Sequence, residues 1–103
     1  MLVKDFFKWA KEEFEEEMKI MGDKGREYTV HDKDKLKNFK FIAERLDLPP
    51  TTVAMVYLLK HLDSIRNYVQ EGTEASDEPI SGRFRDARIY LFLLLALVID
   101  DNK

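Results

Sequence analysis

Cysteine is absent, so disulfides, thiolate zinc sites and cysteine nucleophiles are all excluded. That absence suits a reducing cytosol while leaving the compartment open. Also missing is a surplus of charge of one sign: 17 basic against 20 acidic residues leave a net charge of −3, with no global field to draw the chain onto nucleic acid. Nor does any apolar run reach membrane-spanning length. The longest, from Ile89 to Ile99, covers eleven residues where a spanning helix needs about 20. The N-terminus offers no uninterrupted hydrophobic segment for secretion, because Lys4, Asp5, Lys8, Lys11, Glu12 and Glu13 are mixed into the apolar residues up to Phe14. It reads as mature protein with no membrane partner, located in the cytoplasm, or in the host cytoplasm for a phage-encoded chain. Four glycines and three prolines are few enough that each serves as punctuation.

The 103 residues, 45% hydrophobic and 36% charged, make one soluble domain, 1–103, and two would not fit. Val3, Phe6, Phe7, Ala10, Phe14, Met18 and Met21 recur at three- and four-residue steps, which predicts a first helix over 3–21, closed by Gly22 and Gly25. Asp23 to Asp34 is polar and predicts a loop. A second helix is expected over 33–46, with Leu36, Phe39, Ile42, Ala43 and Leu46 on its buried stripe and Asp32 or Asp34 as its cap. Pro49 and Pro50 stop it. A third, capped by Thr51 or Thr52, is expected over 52–69 with Met55, Leu58, Leu62, Ile65 and Val69 inward. After a loop at Gly72 to Pro79, a fourth is expected over 80–100.

From Leu91 to Ile99 every residue of this last helix is apolar, so no side of it suits water. Three partner helices of one small chain can hardly enclose it. The expected architecture is therefore an all-α four-helix bundle that self-associates through its apolar C-terminal helix as a homo-oligomer, with a surface for another protein as the alternative.

Polar residues on apolar lines carry the functional reading. Projected at 100° per residue, Glu17 falls within the stripe of Ala10, Phe14 and Met21, and Glu13 lies on its margin, so both should point inward. Glu12, Glu15 and Glu16 project to the opposite, solvated side. A buried carboxylate needs a cation, a metal ion or a raised pKa, so an internal salt bridge and metal or substrate work both stand open for Glu13 and Glu17. Asp86 shares a face with Tyr90, Leu93 and Leu97, and Arg83 precedes it by one turn. Facing two carboxylates of another helix, Asp86 would complete an oxygen-rich pocket for Mg²⁺, which binds phosphates and activates water. The plainer alternative pairs Asp86 with Arg83 or Lys60. On the third helix Lys60, Ser64 and Asn67 continue the side of Val53 and Tyr57; Lys60 suits a phosphate oxygen and Asn67 a base edge or sugar hydroxyl. His31 and His61 stand too far apart and too unaccompanied for a zinc site.

Phe41 to Val53 has the spacing of a helix-turn-helix, a helix, a short turn and a threonine-capped helix. The second helix then begins Val53-Ala-Met-Val-Tyr-Leu-Leu59, without the polar and basic side chains that read base edges or phosphates. DNA binding is the least favoured reading.

The order of several short segments resembles the MazG-like all-α nucleoside triphosphate pyrophosphatases, in particular their small phage-type members associated with nucleotide modification. They are the acidic Glu12 to Glu17, Lys24-Gly-Arg-Glu-Tyr28 leading to Asn38-Phe39, Leu59-Lys60-His61-Leu62, Glu78-Pro-Ile80, and Asp86-Ala-Arg-Ile-Tyr90. The resemblance implies a dimeric or tetrameric four-helix hydrolase that splits a nucleoside triphosphate into monophosphate and pyrophosphate with magnesium. It places Glu13, Glu16, Glu17 and Asp86 on the metal. Lys60 would sit near the phosphates, completing a catalytic set with Glu13, Glu17 and Asp86, and Arg83, Asn67 and Tyr90 would serve the nucleotide. One departure stands out: the family's second acidic motif, Glu-x-x-Asp, is missing, since Glu78 lies eight residues before Asp86 and precedes a proline. A helical oligomer that binds nucleotide, or another protein, without turnover is the alternative function.

Overall fold

The computed structural model describes the backbone of residues 1–29, 36–73 and 79–101, and side chains over 1–22, 36–73 and 79–101. Every element is helical: α1 (Val3–Thr29), α2 (Lys37–Leu46), α3 (Pro50–Glu71) and α4 (Ile80–Asp101), with no strand among the described residues. The chain divides into two compact units, 1–35 and 36–103. The first contains α1 and the second α2, α3 and α4.

Contrary to the expected end at Gly22, α1 runs on through both glycines to Thr29. Glycine permits the left-handed closing turn without imposing it, and Lys24, Arg26 and Glu27 are good helix formers that offset about 1 kcal/mol lost at each glycine. Asp23 to Thr29 are therefore helical where a polar loop is expected, and the rest of that expected loop to Asp34 lies outside the described residues. The proposed caps Asp32 and Asp34 lie outside the described residues, as does His31, and α2 starts at Lys37 rather than 33.

Two reciprocal backbone bonds end α2: the Leu48 N–H donates to the Ala43 carbonyl at 2.9 Å and the Asp47 N–H to that of Glu44 at 3.4 Å. This is the Schellman arrangement, and it requires a left-handed residue, here Asp47 at φ 56°, ψ 48°. The threonine cap expected for α3 is not used. Pro49 occupies the cap position in extended conformation and Pro50 the first helical position, where a missing N–H costs nothing, so Thr51 and Thr52 lie inside the helix. Gly72, at φ 70°, closes α3 by donating its N–H to the Tyr68 carbonyl.

In the second unit α3 packs against both α2 and α4. Leu36, Phe39, Ala43, Val53, Ala54 and Leu97 form the buried cluster, with Ile42, Tyr90, Leu93, Leu94 and Ala96 partly buried against it. The inward line of α3 differs from the expected one. Val53, Ala54, Leu58 and His61 are buried, whereas Met55, Leu62 and Val69 are exposed. Apolar residues occupy more than one side of α3, so periodicity alone does not choose between them; the side carrying small Ala54 allows the closest approach of neighbouring backbones. On α2, Lys40 Nζ reaches Asp100 Oδ2 near the end of α4 at 2.7 Å.

On α4 only Ala87 and Leu97 are buried. Leu91, Phe92, Leu95, Val98 and Ile99 are exposed, Leu95 by 55%. No described helix is long and apolar enough to cross a membrane.

Candidate functional site

Two one-turn pairs face each other in the second unit. Tyr57 and His61 are four residues apart on α3, and Asp86 and Tyr90 are four apart on α4, so each pair lies on a single helix face. The Tyr90 ring lies nearly parallel to both α3 rings, with centroids 5.6 Å from Tyr57 at an interplanar angle of 7° and 5.1 Å from His61 at 23°. Phe39 of α2 presents its edge to both tyrosines at 6.2 Å. Four rings from three helices thus meet at one point, in the offset and edge-on geometries that suit aromatic quadrupoles.

One turn before Tyr90, Asp86 Oδ2 stands 3.9 Å from His61 Nδ1. That separation is too long for a hydrogen bond. His61 is buried and Asp86 half-buried. A shielded imidazole beside a carboxylate and against a π-face can hold a proton and position a polar group. The sequence pairs Asp86 with Arg83, Lys60 or a metal and offers His61 no more than exclusion from a zinc site. The pairing of these two was missed, and its only sequence signal was two polar residues on otherwise apolar helical lines.

Of the proposed nucleotide contacts, Tyr90 and Arg83 are half-buried, while Lys60 and Asn67 are exposed. Tyr90 already packs in the ring cluster. The side expected to continue from Val53 and Tyr57 to Asn67 turns outward along α3: Val53 is buried, Ser64 half-buried and Asn67 exposed. Val53 and Ala54, at the start of the helix that the helix-turn-helix spacing would use for recognition, belong to the core.

In the first unit the acids of α1 sort as their projection requires. Glu17 is 1% exposed, Glu13 is half-buried, and Glu12, Glu15 and Glu16 are exposed. Glu16 projects about 100° away from Glu17 and does not share its line. The four carboxylates assigned to magnesium come from both units, three from α1 and Asp86 from α4. Among the described residues no group of three or more histidine, aspartate or glutamate side chains could hold a metal ion.

No protein-family model, curated protein sequence or solved structure matches this chain significantly.

Proposed function

We propose that this protein is a helical homo-oligomer that acts by binding, with a nucleotide as its ligand. The observation that carries the reading is the exposure of Leu91, Phe92, Leu95, Val98 and Ile99 on α4. A stripe of this size on a protein surface is covered in use, and the same stripe on a second copy suits a symmetric contact between identical subunits. The nucleotide enters through the resemblance of the acidic, Lys60-containing and Asp86-containing segments to the pyrophosphatases.

Thermal-shift titration of the intact protein with a panel of ribo- and deoxyribonucleotides, with and without Mg²⁺, tests the ligand, because a compound that binds only the folded state raises its melting temperature. Stabilisation by at least one nucleotide is expected. Indifference to all of them, in a protein that is monomeric by molar mass, would remove the proposal.

Hydrolysis to monophosphate and pyrophosphate is a second reading, favoured by one specific feature: Glu17, in the acidic segment that resembles the pyrophosphatases, is a carboxylate almost wholly withdrawn from water. Magnesium would arrive on the triphosphate, with one or two protein carboxylates beside its phosphate ligands. Glu13, Glu17 and Asp86 are the candidates for that role. Pyrophosphate release that depends on Mg²⁺ and disappears in Glu17→Gln and Asp86→Ala supports hydrolysis; release unchanged in both variants counts against it.

A further inference from the structure

The exposed stripe of α4 has a counterpart on α3. Met55, Leu59, Leu62, Arg66 and Val69 of α3 follow one another at steps of four, three, four and three residues. Phe84, Arg88, Leu91, Leu95 and Val98 of α4 follow the same steps. Every apolar member of the two lines is at least 39% exposed. Such steps average 3.5 residues, the repeat of a helix that lies along another helix instead of crossing it. Each line holds a single arginine, a side chain whose aliphatic stem covers apolar surface while its head stays in water.

Both lines lie on one side of the helix pair. α3 and α4 run antiparallel, since Tyr57 meets Tyr90 while His61, one turn later on α3, approaches Asp86, one turn earlier on α4. Projected at 100° per residue, α3 turns from Val53 and Ala54, which pack with α2, to buried Leu58 and then to its line. α4 turns in the same sense and by similar angles from Leu93 and Leu97, in the same cluster, to buried Ala87 and then to its own. On antiparallel helices an equal rotation reaches the same face of the pair. That face points away from α2 and is two helices wide.

Its repeat and its size say what fits. Two parallel lines of 3.5-residue repeat are matched by a partner that presents two such lines, and the same face of a second copy presents them. The eight apolar side chains expose on the order of 600 Å² per copy, so a face-to-face pair buries on the order of 1,200 Å², where specific interfaces begin. The α4 line alone supplies about half of that, the size of an incidental contact. We infer that this face of the α3–α4 pair is a docking surface for the same face of a second copy, the four helices closing as a bundle. The inference rests on the reading that the chain self-associates, and it extends the contact from α4 to α3.

The absence of cysteine makes this directly measurable, since a single introduced cysteine reports alone. Val56, 61% exposed on α3 and about 100° off its line, serves as the open reference. At concentrations where the full-length protein sediments as an oligomer, a maleimide should alkylate Leu62→Cys and Leu95→Cys at least roughly tenfold more slowly than Val56→Cys, because thiol reactivity follows access. Dilution to the single chain should restore the fast rate. Unchanged far-ultraviolet circular dichroism and parent-like sedimentation establish that each cysteine variant folds and associates. Leu62→Glu, equally helical, should sediment as a single chain. An open Leu62→Cys beside a protected Leu95→Cys, or an oligomeric Leu62→Glu, would overturn the part given to α3 while leaving self-association through α4 intact. Both cysteines open in an oligomer would place the contact on another surface. Protection that persists in the single chain, or that only anionic phospholipid vesicles bring about, would overturn the second copy as occupant. A parent protein monomeric at every concentration would end this inference and the α4 contact together.

Discussion

Asp47 holds a left-handed backbone, φ 56° and ψ 48°, so that α2 can close and the chain can enter Pro49. Aspartate tolerates this conformation better than most side chains, yet its Cβ still costs energy that glycine avoids. Asp47→Gly should therefore stabilise the protein by about 1 kcal/mol, while Asp47→Val should destabilise it by at least as much, both read from urea unfolding. A larger effect of opposite sign is expected at Leu97, a core residue with no exposed surface. Leu97→Ala should cost about 2–5 kcal/mol by lost transfer energy and cavity formation. At this scale legibility in the sequence was uneven. Glu17 was readable because a 100° projection placed it among apolar residues of its own helix. His61 was not, because its approach to Asp86 depends on how α3 is rotated against α4, and one helix's pattern does not contain that rotation.

The centres of the four helices were legible and their ends less so, for a physical reason. Gly22 and Gly25 permitted a stop that α1 does not make, and the threonines before Val53 offered a cap that the Pro49-Pro50 pair made unnecessary. End signals are permissive, whereas an apolar line expresses an energy that must be met. Where two such lines compete on one helix, as on α3, the neighbours decide. The bond from Lys40 on α2 to Asp100 on α4 is short at 2.7 Å, yet both side chains are more than one-third exposed. A double-mutant cycle with Lys40→Met and Asp100→Asn should give a coupling below about 1 kcal/mol that shrinks in high salt. The element that matters more is α4. Leu95→Glu sets a charge where the proposal places a subunit contact, and since Leu95 is already exposed the substitution should leave helicity and the melting of the lone chain nearly unchanged while abolishing association. Retention of the full oligomer by this variant would place the contact elsewhere.

For the whole molecule, the sequence was strongest in setting limits: all-helical architecture, no disulfide, no membrane-spanning helix in the described chain. The candidate site was only half legible, since its carboxylates could be picked from helical projections but their relation to a ligand rests on a resemblance of short segments. Chemistry at the ring cluster and at Glu17 stays subordinate to a simpler property. Leu91, Phe92, Leu95, Val98 and Ile99 of the wholly apolar stretch Leu91 to Ile99 are left exposed by their own chain, and the proposed second copy would supply cover of the same chemical kind. Molar mass in solution, measured by sedimentation velocity across a concentration series, tests this most directly. The expected result is a multiple of the 12.2 kDa chain mass that falls to one chain for Leu95→Glu; a parent protein sedimenting as a single 12.2 kDa chain at every concentration would contradict it.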